Sequence, residues 1–191
     1  FSTCCSWCPT MTSAVERLEA ISRSWRLQHD ALKIVRREVF RKTKGGDAVG
    51  LRFSNTEFEE AKPEVIDHDI QDCQQSVADF TVLSMWAVFE RLVFERLEAE
   101  CIKMQALPVE VFNQGVTSKV IDSIEYWKID EALDLLKPLT GSDAVGHAKQ
   151  IKRYRDWVVH RNPRKPSPPK IDPTSAKATL VHLARVLDAG N

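Results

Sequence analysis

Arg155 and His160 stand five residues apart and supply the two kinds of group that metal-free chemistry on a phosphodiester requires. A histidine moves protons near neutral pH, each transfer being worth about 100- to 10,000-fold in rate. Arginine stays charged and offers a planar fork of N–H donors that grips two phosphate oxygens at once. RNA cleavage of this type needs a base for the ribose 2′-hydroxyl, a cation for the charge growing on the phosphate, and an acid for the leaving oxygen. DNA lacks the attacking hydroxyl and is not a substrate for such a pair. Of the five histidines in the chain, only His160 has this company.

Both residues fall on an amphipathic run from Ile151 to Pro163 that reads as a helix end. At about 100° per residue, positions five apart diverge by about 140°, so the pair can flank one groove but does not share one stripe. Asp156 lies four residues before His160 and shares its face, and is expected to reach the imidazole and fix its tautomer. Tyr154, Trp157 and Val158 anchor the helix to a core. Asn162-Pro163 then stops it, because the residue before a proline leaves the helical region. His160 therefore belongs to the last turn, at the negative end of the helix dipole. A purely structural alternative makes Arg155 and Asp156 partners of charges on neighbouring helices, and His160 a helix cap.

Charge favours the first reading locally and not globally. The 27 basic and 27 acidic residues cancel, which excludes a protein that binds polyanions through bulk charge. Between Lys149 and Lys170, however, eight cations face the single acid Asp156. Arg153, Arg161, Arg164 and Lys165 in that stretch are the expected RNA contacts.

The elements that must position these groups follow from apolar periodicity. One long helix is expected over about 13–42, opened by a capping box of Ser13 and Glu16. A polar, glycine-containing loop follows over 43–62, in which Leu51 and Phe53 form a short strand or tack the loop down. A second long helix begins at Pro63 and runs toward Pro108, apolar nearly all round in its middle, as befits the centre of a bundle. Glu90 and Arg91 interrupt that middle. Either both are solvent-side charges, or Glu90 faces a basic partner such as Arg155. Further helices are expected over 116–136, 143–161 and 173–189, joined by short connections such as 137–141. The sum is an all-α bundle of about five helices with two long antiparallel ones. Residues 13–191 read as one domain and 1–12 as a disordered or added extension, with Met11 a natural start. The basic, proline-rich segment 164–170 reads as a solvated connector.

The pattern Arg155-Asp156-x3-His160, with apolar Trp157-Val158-Val159 between, lies on the fourth of these helices after two long ones. It resembles the HEPN family of small all-helical domains. The resemblance implies a metal-independent, cofactor-free endoribonuclease that acts as a toxin or defence effector. It further implies a homodimer whose two motifs face a shared cleft, with RNA as substrate and in many members a nucleotidyltransferase-type antitoxin as partner. Under it Arg155 and His160 are catalytic and Asp156 is supporting, and Glu90 joins them on the second reading above. Some members of the family are non-catalytic modules for protein or nucleic-acid binding, and that is the alternative function here.

Cysteine usage and the chain's start complete the picture. Five cysteines are an odd count, three of them (Cys4, Cys5, Cys8) crowd the first eight residues, and Cys73 and Cys101 read as small apolar helix residues. A structural zinc site needs a fourth ligand, so no metal is expected. The opening residues lack a basic and apolar leader and no apolar run reaches about 18 residues, which makes a cytoplasmic setting without membrane contact the expectation.

Overall fold

The first helix starts as its sequence dictates. Ser13 N–H donates to Glu16 Oε2 at 2.9 Å while Glu16 N–H donates to Ser13 Oγ at 3.1 Å, the reciprocal bonds of a capping box. In the computed structural model, which describes residues 13–43, 55–59, 61–105, 111–124, 126–161 and 166–189, helix α1 spans Ala14–Thr43. Helix α2 spans Pro63–Gln105 and opens on the proline, whose missing N–H costs nothing in a first turn. Four more elements precede the end of the motif helix: α3 (Val111–Ile124), α4 (Ile129–Asp134), α5 (Lys137–Thr140) and α6 (Ser142–His160). Helix α7 (Pro173–Ala189) closes the bundle, its first turn capped by Asp172 Oδ2, which accepts from the N–H groups of Thr174 and Ser175.

All elements among the described residues are helical, and α2 lies at the centre, packing against α1, α3, α4, α6 and α7. Its apolar middle explains this. Val82, Met85, Trp86, Phe89 and Val93 are all within 1% of full burial. Trp86 and Phe89 stack edgewise at 5.8 Å between ring centres. Each such side chain contributes roughly 1.5–3 kcal/mol through burial. The facing residues are Leu18 of α1, Leu133 of α4, Ile151 and Tyr154 of α6, and Leu180 and Leu183 of α7.

The helix count differs from the sequence expectation. The single helix expected over 116–136 is two, α3 and α4, and the connector 137–141 contains the short α5. Tyr126 and Trp127 N–H groups bond back three residues to Ser123 and Ile124, and Lys128 is extended at φ −73°, ψ 132°. In an unbroken helix Ile124 and Ile129 would point about 140° apart. The break lets both turn inward, and both are buried.

Between α1 and α2, Leu51 and Phe53 lie outside the described residues. The described part of that segment is a turn over 55–59, in which Asn55 adopts φ 62° and Glu59 Oε2 accepts from Asn55 N–H at 2.8 Å. Phe58 tacks it down, packing with Ala61 on a small second core of Val39, Ile66 and Ile70. Residues 1–12, with Cys4, Cys5 and Cys8, also lie outside the described residues.

Candidate functional site

Helix α6 carries the motif, and its spacing decides what each residue faces. Val145, Ala148, Ile151, Tyr154 and Val158 form its buried stripe. Arg155 lies at the edge of that stripe, against α2. Its Nη2 donates to Glu90 Oε2 at 2.8 Å, with both side chains little more than a quarter exposed. Of the two readings of Glu90, pairing with Arg155 is the one the molecule adopts. Arg91, one residue on, is exposed and pairs with Glu95 within α2.

Asp156 does not reach His160. Its Oδ1 accepts from Arg155 Nη1 at 2.9 Å and its Oδ2 from Lys152 Nζ at 3.1 Å. Two full cations outcompete an imidazole for one carboxylate. Lys152 also reaches Asp130 at 3.2 Å. An alternating chain results, Asp130, Lys152, Asp156, Arg155 and Glu90, which ties α4 to α6 and α6 to α2. Next to it, Lys149 and Lys137 both bond Asp134 and together hold its carboxyl below the ordinary range.

His160 is the last helical residue and is exposed, with no hydrogen bond or ion pair to it among the described residues. Gln150, Arg153 and His160 recur at helical spacing on the exposed face of α6, with half-buried Trp157 at its edge packing against the core. Arg153 is exposed there and makes no ion pair among the described residues. The helix stops at Arg161, one residue before the expected Asn162-Pro163. Arg161 takes the left-handed conformation (φ 35°, ψ 48°) and its N–H bonds Trp157 O at 2.7 Å. That conformation costs a non-glycine residue about 1–2 kcal/mol. Asn162, Pro163, Arg164 and Lys165 lie outside the described residues.

A second polar cluster lies behind the first and was not singled out from sequence. Asp79 of α2 is 4% exposed. Its Oδ1 accepts from Tyr154 Oη at 2.6 Å and from Gln75 Nε2 at 2.7 Å, and its Oδ2 lies 3.5 Å from Arg161 Nη2. Burial, and after it the bond to Asp79, pushes the Tyr154 phenol well above its usual range. Lys170 Nζ donates to Gln75 Oε1 at 2.9 Å and Ile171 packs on the core, so the end of the connector is tied to α2 while Lys170 stays exposed. A single acid inside an apolar helix was the available signal, because a buried carboxylate implies a partner.

The spatial charge is smaller than the linear one. Four carboxylates from α2 and α4, namely Asp79, Glu90, Asp130 and Asp134, pair with cations of the basic segment. Among the described cations of that segment, Arg153 and Lys170 are left without a carboxylate partner. A cleft of about 840 Å³ between α2 and α3, lined by residues that include Phe94, Glu98, Ile121 and Asp122, includes neither Arg155 nor His160. Among the described residues no group of three or more His, Cys, Asp or Glu side chains is placed to hold a metal ion, and no helix is long and apolar enough to cross a membrane.

Comparison with family models, with curated proteins and with solved structures finds no match for this chain.

Proposed function

We propose that this chain is a metal-independent endoribonuclease of the HEPN type, in which two copies of α6 build one phosphate site in a homodimer. The observation that carries the reading is His160. It is an exposed imidazole at a helix end, without a partner among the described residues, on the same outward face as the unpaired cation Arg153. Such a ring is available to take a proton from a ribose 2′-hydroxyl and to return one to the leaving oxygen.

Arg155 suits the second role in a restricted way. Two of its five N–H donors are bound to Glu90 and Asp156, which fixes the plane of the guanidinium and leaves the rest for phosphate oxygens. The two carboxylates also offset its charge. A phosphate at this point needs further cations, and Arg153 and a second subunit are the sources, with Arg164 and Lys165 next in sequence. The divergence of Arg155 and His160 points the same way, since one copy does not aim both at one atom. Glu90 and Asp156 then act as orienting groups for Arg155. A toxin or defence role in the cytoplasm, with a nucleotidyltransferase-type antitoxin, belongs to the same proposal through the family resemblance.

One observation favours the other class. The chain from Asp130 to Glu90 engages both terminal nitrogens of Arg155, as a strut between helices does, and this fits a non-catalytic module that binds protein or nucleic acid. Purified protein incubated with single-stranded RNA in EDTA separates the two. The proposal predicts products with 2′,3′-cyclic phosphate ends, no cleavage of DNA, and at least a 100-fold loss of rate in His160→Ala and Arg155→Ala. Folded wild type that leaves RNA intact, or His160→Ala that cuts as well as wild type, leaves the binding module as the reading.

A further inference from the structure

We infer that Asp79 is a positioning residue for the motif, a buried latch on α2 that fixes where α6 ends and so where His160 is presented. In its bearing on RNA cleavage this rests on the ribonuclease reading; as a statement about the α6 terminus it stands independently.

A carboxylate taken out of water is costly unless it is paired. Asp79 has almost no contact with water, so its charge depends on protein donors. Oδ1 is served by two neutral groups, Tyr154 Oη from the buried stripe of α6 and Gln75 Nε2 from the preceding turn of α2. Oδ2 faces the Arg161 guanidinium at 3.5 Å. Tyr154 and Arg161 bracket the catalytic stretch, since Arg155 and His160 lie between them in sequence. One carboxylate thus holds the helix on both sides of the motif.

Arg161 is also the residue that reverses the chain. Its left-handed backbone is a conformation L side chains disfavour, and glycine is the usual occupant of such a helix end. An arginine is suited to this point by its side chain, which reaches the carboxylate that glycine would leave with an unsatisfied oxygen. With the guanidinium drawn toward α2, the Arg161 N–H closes on Trp157 O and the helix stops immediately after His160. Lys170 and Gln75 carry the same network to the returning connector, so both chain segments leaving the motif are tied to one acid.

The test uses amide hydrogen exchange on the full chain, with RNA cleavage as a second arm. In Asp79→Asn the expected result is exchange at the Arg161 N–H at least ten times faster than in wild type, while the amides of Met85 and Ile151 change only with global stability. Asp79→Glu, which keeps the charge, restores most of the protection. Arg161→Gly removes the guanidinium and keeps a residue suited to the backbone, and is expected to loosen the same amide; it decides the matter if Asp79→Asn does not fold. In cleavage, Asp79→Asn lowers kcat with KM nearly unchanged, and Asp79→Glu recovers it. Unaltered Arg161 protection in the folded variants, or loss of protection that only follows global unfolding, overturns the latch. Wild type inactive on RNA removes the ribonuclease reading, and the exchange arm still decides the latch by itself.

Discussion

Tyr154 connects the core to the motif. Its ring lies in the main apolar cluster while its hydroxyl donates to Asp79, and the neutral phenol is the form that can do so. Burial and Asp79 therefore raise its pKa in the folded protein. The folded value exceeds the unfolded one, so this contribution to stability is complete below about pH 10, the unfolded value, and is lost as pH rises toward the folded one. The chain has two tyrosines, so absorbance of Tyr126→Phe protein near 295 nm follows Tyr154 alone. The expected curve shows almost no phenolate at pH 10; half-ionisation there contradicts the bond to Asp79. Glu90 shows how far residue-scale reasoning goes without coordinates. An acid in an apolar helix leaves two readings open, a solvent-side charge or a basic partner such as Arg155, and the structure adopts the second. Asp79 carries the same signal on the same helix, about one turn after polar Gln74 and Gln75, and its partners include the far-off Tyr154 and Arg161.

At the scale of elements, helix starts were legible because they are written locally. Ser13 with Glu16, Pro63 and Pro173 open helices at those positions or one residue away, since caps and prolines act within a turn. Helix interruptions were not. The break between α3 and α4 contains neither proline nor glycine, and its cause is the distant surface that Ile124 and Ile129 must both meet. Helix α4 is six residues long and cannot persist without that surface. Leu133 is its fully buried contact. Leu133→Ala is expected to lower unfolding free energy by about 3 kcal/mol, read from the shift of a denaturant midpoint at constant slope. A change under about 1 kcal/mol would mean that α4 is not held by the core. In the segment before α2, Leu51 and Phe53 lie outside the described residues, and Phe58 packs against residues that the chain brings to it from both α1 and α2.

For the whole molecule, the all-helical class and the central place of α2 followed from composition and periodicity, because burial of an all-round apolar helix admits few arrangements. The field around the motif did not follow, since four of the acids that temper it arrive from α2 and α4. That tempering strengthens the view of the motif as half of a site. Arg155 is fixed but largely neutralised, His160 makes no hydrogen bond or ion pair among the described residues, and in the proposed homodimer a second copy would supply what each lacks.

Mixing the two inactive variants tests this most directly. Arg155→Ala and His160→Ala proteins are each expected to leave RNA uncut in EDTA. After unfolding and joint refolding, random pairing makes half of the dimers mixed, each keeping one of the two equivalent Arg155–His160 pairings across the shared site, so about a quarter of wild-type cleavage returns. A mixture no more active than its separate components, beside active wild type, contradicts the shared site, and inactive wild type contradicts the enzyme.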